Sequence, residues 1–197
     1  MLVASTLSSE SVNLLKMRGQ SDQQVSDFSV LLKEAAEQRE QDVSAKQILS
    51  ELSKGELRLV QTSVGLVDPI NVESLSNEAA INLLAQPDTK GMVDLNNDGL
   101  VEIGASKMIV FPPVNAPESI QEAWNEATEG MSEGDKMMMQ LHMHTAIYGV
   151  HIDGVSEIQA LAPDAQWGEK GIEQLFERLR SALELSVALE GWDRFNL

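Results

Sequence analysis

The sequence predicts a mainly α-helical domain of about six to seven helices, with a small β-hairpin or three-stranded patch around residues 91–111. Apolar residues recur at intervals of three and four over most of the chain, which is the spacing of one helix face. Serine, proline and glycine stand where these segments begin and end. Only residues 91–111 contain short β-rich runs on either side of a turn.

The N-terminal half reads as helix after an initial arm. Residues 1–24 are rich in Ser, Gln and Asn and carry one short apolar patch, so we expect a flexible arm there. An apolar stripe then predicts a helix over residues 27–41. Two shorter helical segments follow at 43–52 and 57–64, separated by a glycine.

The middle of the chain changes from helix to hairpin. Ser76 is placed to cap a helix of alanine, isoleucine and leucine, and Pro87 ends that helix. Apolar pairs then flank a turn within residues 91–111, and Met108 begins a β-rich run that two prolines close. This segment is the predicted hairpin.

Three further helices are predicted after the hairpin. The first runs from Glu118 to about Gly130. The second covers residues 133–148, is apolar on several sides and is expected in the core. The last covers residues 167–190 with one apolar face. Residues 25–197 are therefore expected to form a single domain.

Charge and composition limit the partners. Fourteen Lys and Arg against 31 Asp and Glu give a formal charge of −17, which repels nucleic acid and anionic lipid. There is no cysteine, so disulfides and thiolate chemistry are excluded. The first ten residues lack the basic region of a secretory signal, and no apolar run is long enough to span a bilayer.

One loop carries recognisable metal chemistry. Calcium takes six to eight oxygens from a chain that curls around it, which requires short carboxylates or amides at alternate positions and a sharp turn. Residues 94–102 meet this requirement, with Gly99 at the turn. The candidate ligands are the side chains of Asp94, Asn96, Asp98 and Glu102 and the backbone carbonyl of Leu100.

Residues 94–105 resemble the Asp-x-Asn-x-Asp-Gly loops of EF-hands, dockerins and FG-GAP repeats. An EF-hand has a bidentate Glu where this chain has Ala105, and a helix would follow where this chain has a β-rich run. The loop is closer to the propeller type, which lies between strands and ends with an acid at its ninth position, here Glu102. The alternative is a simple hairpin turn at residues 97–99.

Other residues suggest weaker alternatives. Met138 and His142 lie four apart and could share a copper(I) site, although methionines more simply pack a core helix. His144 and His151 could join Asp153 as a zinc or general-base site. No nucleophile elbow, phosphate loop or dinucleotide fingerprint is present in the sequence.

The sequence therefore predicts a non-catalytic protein in which Ca²⁺ stabilises the loop in a structural or regulatory role. Without a bidentate Glu, the expected Kd is on the order of 10⁻⁴ to 10⁻³ M. This favours a calcium-rich, extracytoplasmic or exported setting, and the alternative is a loop that is empty in the cytosol. An alternative function is an acidic helical adaptor that engages another protein, for which the helix at 167–190 is the first candidate surface. A copper-handling protein or a metal-dependent enzyme is a third.

Overall fold

The structure, a computed structural model, describes residues 7–148 and 163–173. Over these residues the chain has eight α-helices and one two-stranded hairpin, which confirms the predicted mainly α fold with a small hairpin. The chain divides into two compact units, and each is described by itself. Unit 1 comprises Met1–Leu95 and Val101–Met108, and unit 2 comprises Asn96–Leu100 and Ile109–Leu197.

The elements follow one another in a simple order. The helices of unit 1 are α1 (Ser9–Met17), α2 (Asp22–Arg39), α3 (Ala45–Glu51), α4 (Lys54–Val64) and α5 (Asn77–Leu83), with a 3₁₀ turn at Val72–Ser74. The hairpin strands are β1 (Leu100–Ile103) and β2 (Ser106–Ile109). Unit 2 contains α6 (Glu118–Ala127), α7 (Glu133–Tyr148) and α8 (Pro163–Gln166).

Serine side chains begin all five α-helices described in unit 1. Each hydroxyl accepts a hydrogen bond from the backbone N–H three residues further on, which has no partner within its own helix. In α2 and α4 the side chain of the third helical residue also accepts a hydrogen bond from the N-cap backbone N–H, which completes a capping box. The capping residues are Ser8, Ser21, Ser44, Ser53 and Ser76.

The core of unit 1 forms where the apolar faces of its helices meet. The helix α3 packs on both α2 and α5, and α4 also packs on both α2 and α5. Phe28 of α2, Leu49 of α3, Val60 of α4 and Leu83 of α5 are completely buried. Burial of such side chains contributes roughly 1.5–3 kcal/mol each, so this core is the main source of stability in unit 1.

The structure has a helix in the segment for which the sequence predicted an arm. In α1 the hydroxyl of Ser8 accepts a hydrogen bond from the N–H of Ser11, and Ser11 and Leu15 are completely buried. These two buried residues lie four apart, on one face of the helix. A serine in the place of an apolar residue hides this short stripe from a search for hydrophobic periodicity.

The helix α7 has the bounds predicted for it, but much of its apolar surface is exposed. Met137, Met138 and Leu141 are 69%, 54% and 44% exposed. The expectation of a core helix is therefore wrong for this face. A helix that is apolar on several sides gives no sequence signal for which side is covered.

The predicted helix at 167–190 lies mostly outside the described residues. Residues 169–173 are helical, and nothing further of that segment is described. Within residues 7–148 and 163–173, no helix has the length and apolar character needed to cross a membrane.

We predict that Leu49→Ala destabilises the protein by about 2–5 kcal/mol, because it leaves a cavity at a completely buried site. The measurement is urea unfolding followed by circular dichroism. Val67→Ala is the control, because Val67 is 92% exposed and its truncation should change the free energy of unfolding by less than about 0.5 kcal/mol. Equal effects of the two changes would contradict the assigned core.

Candidate metal centre

The central part of the candidate loop, residues 96–100 of unit 2, is curled by its own side chains. Asn96 Oδ1 accepts a hydrogen bond from the Asp98 N–H at 3.0 Å, and Asp98 Oδ1 accepts one from the Leu100 N–H at 2.8 Å. Gly99 has φ +78°, a conformation that glycine adopts without steric cost. Carboxylate and amide oxygens at alternate positions around such a turn are what a calcium loop requires.

Asn97 ties this part of the loop to the rest of unit 2. Its side chain is only 4% exposed and its φ is +56°, in the left-handed region that asparagine tolerates. Asn97 Nδ2 donates to Gln166 Oε1 at 2.7 Å, and Asn115 Nδ2 donates to Asn97 Oδ1. Gln166 in turn donates to the Tyr148 hydroxyl at 2.8 Å, and a Cβ at Gly99 would overlap the Tyr148 ring.

In unit 1, the amide of Asn82 holds the chain on both sides of the loop. Asn82 Nδ2 donates to the carbonyl oxygens of Val93 at 2.8 Å and Glu102 at 2.9 Å. Its Oδ1 accepts from the Val93 N–H at 2.7 Å. Asn82 is completely buried, so these contacts replace hydrogen bonds to water. The side chain therefore fixes the two ends of the loop to α5.

Glu78 makes a second pair of contacts one helical turn earlier. Its Oε2 accepts a hydrogen bond from the Leu95 N–H at 2.8 Å, and its Oε1 accepts one from the Glu102 N–H at 2.9 Å. The residue is only 4% exposed. A buried carboxylate requires charged or hydrogen-bonding partners, and the loop backbone supplies them here.

The carboxylate of Glu102, the proposed last ligand, is occupied within unit 1. Lys107 Nζ lies 2.9 Å from Glu102 Oε1, and the Ser76 hydroxyl donates to Glu102 Oε2. The Ser76 hydrogen bond, followed by the Lys107 hydrogen bond, lowers the pKa of Glu102 below its ordinary value. A cation that used this oxygen pair would have to displace at least the Lys107 ammonium.

The predicted ligands therefore stand in different surroundings. Asp94 is 8% exposed in unit 1, whereas Asn96 and Asp98 belong to unit 2 and have the local contacts given above. Over residues 7–148 and 163–173, no three His, Asp or Glu side chains are grouped so that they could hold a metal ion. The metal site stays a prediction from sequence and local loop geometry.

The structure describes some of the histidine and methionine residues that were candidates for a copper, zinc or general-base site. Met138 and His142 are both exposed on α7. His144 is 8% exposed, its Nδ1 has no hydrogen-bond partner within the described structure, and its ring centroid lies 5.0 Å from that of Tyr148. Burial lowers the pKa of His144, and the negative charge of Asp98 opposes this shift. His151 and Asp153 lie outside the described residues.

Sequence reasoning missed the side chains that anchor the loop. Glu78 and Asn82 lie four apart on α5, at positions where the neighbouring Ala79, Ala80 and Leu83 are buried. Polar residues at the buried positions of a short helix indicate that their side chains form hydrogen bonds inside the protein, because buried polar groups need partners. The sequence near these residues does not say which groups those partners are.

The fold defines a mainly helical protein, and the loop gives it one candidate metal site. No family model matches the chain, and no curated protein or solved structure is similar enough to assign a relative. The resemblance of residues 94–105 to calcium loops therefore rests on the sequence and geometry of this chain.

We predict that Asn82→Ala lowers the free energy of unfolding by about 3 kcal/mol, because it removes three hydrogen bonds between a completely buried amide and the backbone of Val93 and Glu102. Chemical denaturation measures this loss. The control is Asn77→Ala on the same helix, where the side chain is exposed and a change below about 0.5 kcal/mol is expected. A small, equal loss in both variants would show that the buried amide is not an anchor.

We predict that Glu102→Gln destabilises the protein by at most about 1 kcal/mol at pH 7, because the charge partner of Lys107 is lost. The pKa of Glu102 is lowered in the folded state, so its contribution is present above the unfolded pKa of about 4.3. It disappears as pH falls through the folded pKa. Unfolding measured from pH 7 to pH 3 should show the wild type converging on the variant. A constant difference would contradict the ion pair.

Proposed function

We propose that residues 94–102 bind one calcium ion through Asp94, Asn96, Asp98, Glu102 and the carbonyl of Leu100. The observation that carries the proposal is the curl of the loop around Gly99, with Asn96 and Asp98 each bonded to a backbone N–H two residues further on. This is the local conformation that a nine-residue calcium loop needs. The role is a structural clip in a protein that we propose to be non-catalytic.

The contacts of α5 support a clip rather than a switch. Glu78 and Asn82 fix both ends of the loop through hydrogen bonds within the protein itself. An ion that binds a loop with fixed ends pays less ordering entropy than one that must fold the loop. We therefore expect calcium to tighten the loop without a large rearrangement of the helices.

The surroundings of Glu102 support weak binding. Calcium must exchange places with the Lys107 ammonium at Glu102, and Ala105 stands where an EF-hand would provide a bidentate Glu. Both features favour a Kd on the order of 10⁻⁴ to 10⁻³ M. A site of this strength is filled where calcium is millimolar, which favours an extracytoplasmic or exported setting.

We predict that 10 mM calcium stabilises the wild-type protein by about 1.4 kcal/mol if the Kd is about 10⁻³ M. The gain should vanish in the double variant Asp94→Ala, Asp98→Ala, which loses two of the three loop carboxylates. Thermal unfolding with and without calcium measures the gain, and isothermal calorimetry measures the binding directly. Magnesium at the same concentration controls for ionic strength, because Mg²⁺ requires stricter octahedral geometry.

The matched control is the double variant Asp68→Ala, Glu73→Ala, which removes the same charge from two exposed residues away from the loop. It should respond to calcium as the wild type does. The proposal fails if calorimetry detects no calcium binding to the wild type, or if both double variants lose the response equally. The second result would assign the effect to general acidity.

A further inference from the structure

A groove runs between α2 and α4 within unit 1, away from the residues of the loop. Its cavity volume is about 780 Å³, within the range of ligand-binding clefts. On α2 its lining extends from Gln24 to Glu34, ten residues apart, which is about 15 Å along the helix axis. The lining residues on α4 include Gly55, Leu59 and Thr62, spaced by four and three along that helix.

The apolar floor of the groove consists of Val30, Leu31 and Leu59. Val30 is 51% exposed and Leu59 is half-buried, whereas Leu31 is buried, with 7% of its surface exposed. A Cβ at Gly55 would meet only the Ser53 hydroxyl within 4 Å, at 3.8 Å, so no other atom crowds the groove lining at this residue. Apolar side chains at the bottom of a concave surface provide places where apolar side chains of a ligand can be buried.

Acidic side chains line the same groove. Asp27, Glu34 and Glu56 contribute three carboxylates, against the single cation of Arg58. The carboxylate of Glu56 accepts a hydrogen bond from the Ser53 backbone N–H, which holds it at the N-terminal end of α4. The chain as a whole carries a formal charge of −17. The groove therefore combines an apolar floor with a negative rim in a field that attracts cations.

We propose that the α2–α4 groove binds a basic amphipathic helix of a partner protein. Apolar side chains of that helix would contact Val30, Leu31 and Leu59, and its lysines or arginines would pair with Asp27 and Glu34. A length of about 15 Å corresponds to ten residues of helix, or nearly three turns, which is enough for anchors at i, i+4 and i+7. Acidic rims select basic partners mainly through association rate and specificity. This proposal does not depend on calcium binding.

The test uses the full chain and a synthetic 14-residue peptide in which leucine and lysine alternate with helical spacing. Fluorescence anisotropy measures its binding, and a peptide with glutamate in place of lysine should not bind. Glu34→Lys should weaken binding about tenfold, because an attraction becomes a repulsion. Glu40→Lys is the matched control, since it makes the same charge change at the end of α2 outside the groove lining.

A second pair of variants tests the apolar floor. Val30→Ser should weaken binding several-fold, whereas Val67→Ser, at a valine 92% exposed outside the groove lining, should not. All four substituted residues are exposed, and unchanged circular dichroism and melting temperature verify folding.

Three outcomes would overturn the proposal. They are no binding of the lysine peptide, equal losses in Glu34→Lys and Glu40→Lys, or a dimer of the wild-type chain that Glu34→Lys dissolves. The last result would assign the groove to a second copy of this chain.

Discussion

The buried amide of Asn82 is the interaction on which the arrangement of the loop and hairpin depends. It joins Val93, just before the loop, to Glu102, the last residue of the loop, and it lies on α5, which packs on α3 and α4. An apolar side chain of the same size would remove three hydrogen bonds to the backbone of Val93 and Glu102. Within unit 1, the positions of Val93 and Glu102 are therefore fixed to the helical core through α5.

Glu78 adds charge to this arrangement. Its carboxylate is nearly enclosed and accepts hydrogen bonds from the N–H groups of Leu95 and Glu102. The carboxylate of Glu102 is held separately, by Lys107 Nζ at 2.9 Å and by the Ser76 hydroxyl. A cation that bound Glu102 would have to displace the Lys107 ammonium, so this ion pair opposes metal binding at Glu102.

The sequence predicted what depends on local signals. The bounds of α7 and the capping role of Ser76 were foreseen, because helix periodicity and the serine hydroxyl act within a few residues. The helix α1 was missed, because Ser11 interrupts its apolar stripe. The exposed face of α7 and the partners of Asn82 depend on packing between distant segments, which no periodicity records. In the loop, the curl around Gly99 was predictable, whereas the pairing of Glu102 with Lys107 was not.

The formal charge of −17 does not explain why the two proposed sites would bind different ligands, because it attracts every cation. The geometry of each site determines which ligand fits. The loop offers short oxygen ligands around a tight turn, which suits a small ion that sheds water. The α2–α4 groove has a lining about 15 Å long on α2 and three apolar side chains, those of Val30, Leu31 and Leu59, which suits a side-chain ridge with its charges at the edge. Salt should therefore weaken binding at the two proposed sites to different extents. Exposed ion pairs in the groove are screened beyond about 8 Å at physiological ionic strength, whereas an ion enclosed by oxygen ligands is screened less.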